Sequence, residues 1–172
     1  MAVTVAVAAP VFVAGCGTEP EAAMSVSPTS QPAVSKAGNL DRAAVTALKA
    51  VPGGSLTSIE TEGPGWEVQV VTPDGTEREL MVTADGGRVT RNEAKQEDKA
   101  DKDKHRKRIQ AAKLDYRAAA SKMLSAVPNS SITELNLDTY RGTTVWEGDL
   151  EDSNNAKHEV KIDAASGKVL VS

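Results

Sequence analysis

The sequence is poor in the residues from which most reactive and nucleic-acid-binding sites are built. Aromatic residues make up only 3% of its 172 residues, and it has one cysteine and two histidines. A single cysteine excludes an internal disulfide and a cysteine-based zinc site. The net charge of −4 argues against a nucleic-acid partner, because nucleic-acid binders normally carry a basic domain. With few rings available, the core must consist of Ala, Val, Leu and Ile, which favours small modules.

Motifs for catalysis and cofactor binding are also missing. There is no G-x-S-x-G elbow, no phosphate-binding P-loop and no dinucleotide-binding glycine pattern. His105 and His158 each lack a second ligand at metal spacing, so both are interpreted as surface histidines. Glu67 and Glu147 occupy equivalent places in a repeat, which is typical of sheet-surface glutamates rather than a catalytic pair. The sequence therefore predicts a non-enzyme with no cofactor and no metal site.

The first sixteen residues are typical of an export signal. Residues 2–16 carry no charge, and this stretch is too short to span a bilayer as a helix. It ends in Val13-Ala14-Gly15-Cys16, which resembles the bacterial lipobox, although a basic residue after Met1 is missing. The alternative is a buried apolar strand with an incidental cysteine. We expect residues 1–16 to be a lipoprotein signal peptide and Cys16 to carry the lipid that anchors the chain on the extracytoplasmic face of the cell membrane.

A polar segment follows the cysteine. Residues 17–38 are rich in Pro, Ser, Thr and Ala and show no apolar period. Such a segment cannot bury enough surface to offset the entropy lost on ordering. It is predicted to be a disordered tether.

An internal repeat organises the rest of the chain. Apolar residues recur with helical spacing in two copies 76 positions apart, and each helix stops before a proline, Pro52 or Pro128. The aligned helix positions are Leu40, Ala44, Ala47, Leu48 and Val51 in one copy and Tyr116, Ala120, Met123, Leu124 and Val127 in the other. After a four-residue insertion the offset becomes 80, which aligns Trp66 with Trp146. Chance alignment of two isolated tryptophans is hard to obtain.

The repeat predicts an α+β protein with two tandem small modules, at residues 39–91 and 113–172. In each module one helix packs on a small antiparallel sheet, with a hairpin turn such as Asp74-Gly75. Residues 92–112 between them are predicted to be a charged helical linker, either exposed or partly disordered. The wider segment 91–113 has nine basic and five acidic residues, and a solvated helix face is preferred over contact with anionic lipid.

Trp66 and Trp146 are the candidate partner-binding residues. In a core with few rings, an inward tryptophan would be a structural anchor. An outward one would be a recognition residue of the kind that dominates interfaces. The sequence favours the core position and leaves the binding role open.

The order of these motifs resembles the PepSY family. The first copy supplies Val51-Pro52-Gly53, Trp66-Glu67-Val68, Asp74-Gly75 and Gly87-Arg88-Val89. The second supplies Val127-Pro128, Trp146-Glu147 and Asp163-Ala164-Ala165-Ser166-Gly167-Lys168-Val169-Leu170. The second copy departs from the pattern at Asn129 and at Asn154-Asn155, where glycine is expected. The resemblance implies a PepSY or cystatin-like fold and non-catalytic modules that restrain or modulate peptidases in the cell envelope.

Three functions follow in order of preference. The first is a membrane-anchored regulatory protein that contacts an envelope protein, such as a peptidase, through an exposed sheet face or edge. The alternative is an extracytoplasmic sensor or small-ligand-binding lipoprotein, which needs a cleft between helix and sheet. An envelope enzyme comes last, because no constellation of residues supports it.

The anchoring hypothesis is tested by metabolic labelling with palmitate. The parent chain is expected to incorporate the label, and Cys16→Ser is expected to lose it, because that substitution removes the thiol that would carry the lipid. Labelling that persists in Cys16→Ser would contradict the assignment of the anchor.

Overall fold

The computed structural model describes residues 36–172, with side chains from Asn39 onward. The predicted signal peptide, Cys16 and residues 17–35 of the predicted tether lie outside the described residues. The described elements, in chain order, are α1 (Lys36–Ala50), β1 (Ser55–Glu62), β2 (Gly65–Val71), β3 (Glu77–Thr83), β4 (Val89–Ala94), α2 (Lys99–Ala111), α3 (Tyr116–Ala126), β5 (Ser130–Tyr140), β6 (Thr143–Asp152), β7 (Lys157–Asp163) and β8 (Val169–Val171). None of these helices is both long and apolar enough to cross a membrane.

All eight strands form one antiparallel sheet in the order β4-β3-β2-β1-β5-β6-β7-β8. The α+β class predicted from the sequence is confirmed. The two small sheets expected from the repeat are not separate, however, because β1 pairs with β5. The described residues accordingly belong to one compact unit.

The β1–β5 junction is short. It consists of the pairs Ser58↔Asn136, Ile59↔Leu135 and Glu60↔Glu134. Ile59 and Leu135 are completely buried, and the Ser58 hydroxyl donates a hydrogen bond to Asn136 Oδ1. Apolar burial and one side-chain hydrogen bond therefore hold the two halves of the sheet together at its centre.

Helices α1 and α3 lie on the same face of the sheet, which we call the helix face. Alternate residues of a strand point to opposite faces, and most buried apolar residues of the strands point to these helices. Trp66 and Trp146 hold corresponding places in β2 and β6 and are both buried in this core. The matching helix residues are small in α1, where Ala43, Ala44 and Ala47 are fully buried.

The contact between the helix and the tryptophan-containing strand is built from residues of different size in the two halves. Met123 of α3 lies against Gly148, where an added Cβ would meet the methionine sulfur at 2.3 Å. At the positions that the repeat aligns with these, α1 has Ala47 and β2 has Val68, and both are fully buried. A large helix residue over a glycine in one half thus replaces a small helix residue and a valine in the other.

Two asparagines replace glycines at turns that need a left-handed backbone. Gly53 has φ 76° and the aligned Asn129 has φ 62°, while Gly75 has φ 91° and the aligned Asn155 has φ 60°. Asparagine adopts this conformation more readily than other residues with a side chain. The departures from the glycine pattern therefore preserve the turns.

The element boundaries differ from the predicted ones at two places. Helix α1 begins at Lys36, inside the predicted tether, and β4 continues to Ala94, inside the predicted linker. Lys95 extends this pairing, because its N–H donates to Glu77 O at 2.9 Å. Asp98 then caps α2 by accepting from the N–H groups of Ala100 and Asp101 at 2.7 and 3.0 Å. The linker helix is therefore shorter than predicted.

A matched pair of leucine substitutions tests the junction. Leu135→Ala removes a fully buried side chain at the centre of the sheet and is expected to cost about 2–5 kcal/mol of unfolding free energy. Leu170→Ala in the edge strand β8, where the side chain is 39% exposed, is expected to cost less than about 1 kcal/mol. Urea unfolding monitored by tryptophan fluorescence measures both. Equal losses would contradict the central role of the junction.

Candidate functional site

The face of the sheet opposite α1 and α3, which we call the open face, carries an unbroken row of acidic residues. One carboxylate from each of five neighbouring strands occupies paired positions across the sheet, through the pairs Glu67↔Glu60, Glu60↔Glu134, Glu134↔Asp149 and Asp149↔Glu159. We call these five residues the carboxylate row. Because neighbouring strands lie about 4.8 Å apart, like charges face each other along the whole row.

Most of the carboxylate row has no neutralising partner. Within residues 39–172, no basic side chain forms an ion pair with Glu60, Glu67, Glu134 or Asp149. Glu159, at the end of the row, is paired with Lys161. Directly opposed like charges in a sheet are destabilising. The fold therefore tolerates concentrated negative charge where its two halves meet.

Glu60 lies at the centre of this row, and its pKa reflects its surroundings. Burial raises the pKa of Glu60, and the charges of Glu134 and Glu67 raise it further. The folded chain consequently holds this proton more tightly than the unfolded chain does. Ionised Glu60 costs stability at neutral pH, and this cost disappears as the pH falls below the pKa of its unfolded form.

Carboxylates beside the row are neutralised. Lys95 lies 2.6 Å from Glu77, and Lys161 lies 2.7 Å from Glu147, while Glu79 pairs with Arg91. The contrast shows that the open face pairs the carboxylates at its sides and leaves those at its centre without an ion pair. Such a surface is complementary to a cationic partner.

The linker helix α2 lies over one end of the open face. Arg108 pairs with Asp138 of β5, and Arg106 donates to the carbonyl oxygen of Asp74 in the β2–β3 turn. No residue of α2 is buried, which agrees with the predicted charged helix. Part of its basic charge is nevertheless bound to the sheet, so it is not simply a solvated face.

Both tryptophans are core residues. Trp66 and Trp146 are 3% and 2% exposed. The indole N–H of Trp66 donates to Ala84 O at 3.2 Å, and that of Trp146 donates to Leu114 O at 2.9 Å. Neither ring reaches the surface of the described unit, so their positions give no support to direct contact with a partner.

The two histidines have different surroundings. His158 is 38% exposed in its side chain and lies 3.3 Å from Asp152. His105 is only 15% exposed and lies 2.7 Å from Glu97 and 3.7 Å from Glu77. The expectation of a solvated His105 is therefore wrong. Glu77 is 28 positions away in the sequence, and only the docking of α2 on β3 brings the groups together.

Among the described residues, two of the cavities lie on the helix side. One of about 380 Å³ lies beside Trp146 and Leu56, under the connection between α2 and α3. The other, of about 510 Å³, lies between α1 and α3. Its polar groups satisfy one another, because Asp41 accepts hydrogen bonds from Tyr116 Oη at 3.0 Å and from Arg117 Nε at 2.7 Å. In the described lining of the smaller cavity, Tyr116 and Arg117 bind Asp41 and Asp115 caps α3, so few polar groups remain to orient a small ligand.

Residues 113–170, which include α3 and β5 to β8, match the PepSY family, described as the peptidase propeptide and YPEB domain. The match covers 58 of the 172 residues of the chain. No curated protein matches the chain at a significant level. A crystal structure of a candidate lipoprotein from Clostridium difficile 630 shares 17% identity, covering 74% of this chain and 87% of that one, with a TM-score of 0.46. Similarity at this level does not establish a shared fold or function.

Two glutamate-to-glutamine substitutions on the same strand test the charge of the carboxylate row. Glu60→Gln is expected to stabilise the fold by about 0.2–1 kcal/mol at pH 7, because it removes a carboxylate opposed by two others. The gain should shrink in high salt and below the pKa of Glu60. Glu62→Gln, at the exposed end of β1, should change stability less. Urea unfolding at pH 7 and pH 4 measures these differences, and destabilisation by Glu60→Gln would contradict the repulsion.

Proposed function

We propose that the chain is a non-catalytic PepSY lipoprotein that binds an envelope protein on the extracytoplasmic side of the cell membrane. The family match of residues 113–170 supports the regulatory class, because the family is described by its peptidase propeptides. The lipobox-like segment ending at Cys16 supports the anchor. A peptidase is the partner class that this description favours.

We also propose that the first half is a second module of the same kind. Each half consists of a helix followed by four antiparallel strands, and the sheet order is symmetric about the β1–β5 junction. Trp66 and Trp146 occupy corresponding strands, and two left-handed turn residues of the first half align with Asn129 and Asn155 of the second. These correspondences support a tandem arrangement in which residues 36–94 form the first module.

The carboxylate row is the observation that carries the binding proposal. It crosses both halves of the sheet and remains unneutralised at its centre. A complementary segment rich in Lys or Arg would relieve this repulsion on binding, so the free energy held in the unbound face favours the complex. We therefore assign the contact to the open face and to a cationic segment of the partner.

The sheet edge at β8 is a weaker candidate for this contact. Pairing with an extended segment requires a strand edge with several free backbone groups. Strand β8 is only three residues long, and short edge strands protect a sheet against added strands. The exposed Val169 and Leu170 of β8 therefore offer little backbone for such pairing.

A small-ligand function is the second candidate. The cavity of about 380 Å³ beside Trp146 lies within the size range of ligand sites and occupies the place expected for a cleft between helix and sheet. It ranks below protein binding because most of the polar groups in its described lining are engaged within the chain, as Tyr116 and Arg117 are with Asp41. This function would be favoured by a small molecule that quenches tryptophan fluorescence equally in the parent chain and in a variant of the carboxylate row.

Peptidase inhibition tests the proposal. The full chain with Cys16→Ser, used without its lipid, is expected to slow a thermolysin-like peptidase in molar excess. The double variant Glu60→Gln/Glu134→Gln should inhibit about tenfold more weakly, equivalent to about 1.4 kcal/mol of binding energy. Initial rates of peptide hydrolysis at several salt concentrations measure this effect, which should weaken as salt increases.

The control carries the same charge change outside the row. Glu62→Gln/Glu151→Gln should inhibit like the parent chain if the row makes the contact. An equal loss of inhibition in both double variants would show that the net charge of the chain, and not the carboxylate row, causes the effect. Unchanged hydrolysis at high molar excess of the parent chain would count heavily against the inhibitor form of the proposal.

A further inference from the structure

Three potential metal ligands converge where α2 meets the first half of the sheet. Glu77, Glu97 and His105 each offer one ligand atom, and these atoms lie within 4.8 Å of one another. Their side chains are only 8%, 10% and 15% exposed. Glu77 begins β3, Glu97 lies in the loop before α2, and His105 lies on α2 itself. Two chain segments must therefore pack against each other to form this cluster.

Each carboxylate in the cluster has one oxygen fixed by a neighbour. Glu97 Oε2 accepts a hydrogen bond from the Glu77 N–H at 2.8 Å, which leaves Oε1 at 2.7 Å from His105 Nε2. Glu77 Oε1 lies 2.6 Å from Lys95 Nζ, which leaves Oε2 at 3.7 Å from the same nitrogen. Such outer contacts orient the ligands of metal sites and set their affinity.

We propose that Glu77, Glu97 and His105 bind a divalent transition metal ion of the zinc class. An imidazole nitrogen with two carboxylate oxygens suits Zn²⁺ and its neighbours, whereas Mg²⁺ and Ca²⁺ prefer all-oxygen sites. When the ion binds, the proton between His105 Nε2 and Glu97 Oε1 is lost to solvent, the imidazole keeps a proton on Nδ1, and the ion takes the place between the two atoms. Three protein ligands leave a fourth position for water or for a donor group of a partner.

Lys95 is compatible with this site. Its ammonium group pairs with the Glu77 oxygen that does not face His105, and its side chain is 40% exposed. It can therefore stay on the outer oxygen or move into solvent. The two carboxylates supply the charge that balances the ion.

The metal ion fixes α2 to the first half of the sheet. Helix α2 has no fully buried residue; polar contacts such as Arg108–Asp138 and the partly buried Ile109, which packs against the core, hold it in place. A bound ion adds bonds from β3 and the loop before α2 to one residue of that helix. Metal binding thus controls the order of the segment between the two halves.

Titration of the full chain with Zn²⁺ tests the site. The chain carries Cys16→Ser, which removes its one thiol donor. Calorimetry and native mass spectrometry are expected to show one ion per chain. His105→Gln and Glu97→Gln should each weaken binding tenfold or more, while His158→Gln removes the other histidine and should leave binding unchanged.

Hydrogen exchange gives an independent readout. Zn²⁺ is expected to slow amide exchange in α2 of the parent chain and not in His105→Gln. Circular dichroism without metal checks that each variant folds. If His105→Gln does not fold, Glu97→Gln replaces it in the exchange experiment. The proposal is overturned if the parent chain binds no stoichiometric Zn²⁺, or if a folded His105→Gln or Glu97→Gln chain binds it as tightly as the parent.

Discussion

The pairing of β1 with β5 is the contact on which the architecture depends. Three residue pairs join two four-stranded halves into one sheet, and one of these pairs opposes Glu60 to Glu134. Burial of Ile59 and Leu135 contributes about 1.5–3 kcal/mol each, whereas opposed like charges cost about 0.2–1 kcal/mol. Apolar burial therefore outweighs the repulsion. The same contact that closes the sheet also places the two halves of the carboxylate row side by side.

Most local features of the fold could be predicted from the sequence. The prolines Pro52 and Pro128 mark the ends of two corresponding helices. The alignment of Trp66 with Trp146 locates two corresponding strands. The β1–β5 junction could not be predicted, because its partners lie 78 positions apart at Ser58 and Asn136. A strand that pairs on both sides has the same alternation of apolar and polar residues as one at an edge. Local patterns therefore predict the elements but not the neighbour that each strand selects.

The candidate sites depend on tertiary register, and the sequence predicts them less well. Glu67 was expected to be a sheet-surface residue, but only strand pairing shows that Glu60 and Glu134 continue its row. Ligand spacing in the sequence identifies pairs of metal ligands on one helix or strand. It did not identify the cluster around His105, because Glu77 belongs to a distant strand. A signal for the row was present in the many glutamates at alternate strand positions. No comparable local signal marks the cluster around His105.

The exchange of sizes between Met123–Gly148 and Ala47–Val68 has a consequence for folding. Duplicated halves can mispair during folding, because the helix of one copy finds a similar surface on the other. If α3 packed on β2, Met123 would clash with Val68. If α1 packed on β6, the small residue Ala47 would leave a void over Gly148. Each helix therefore fits only its own strands. Divergence of one buried contact thus protects a symmetric molecule from assembling in the wrong combination.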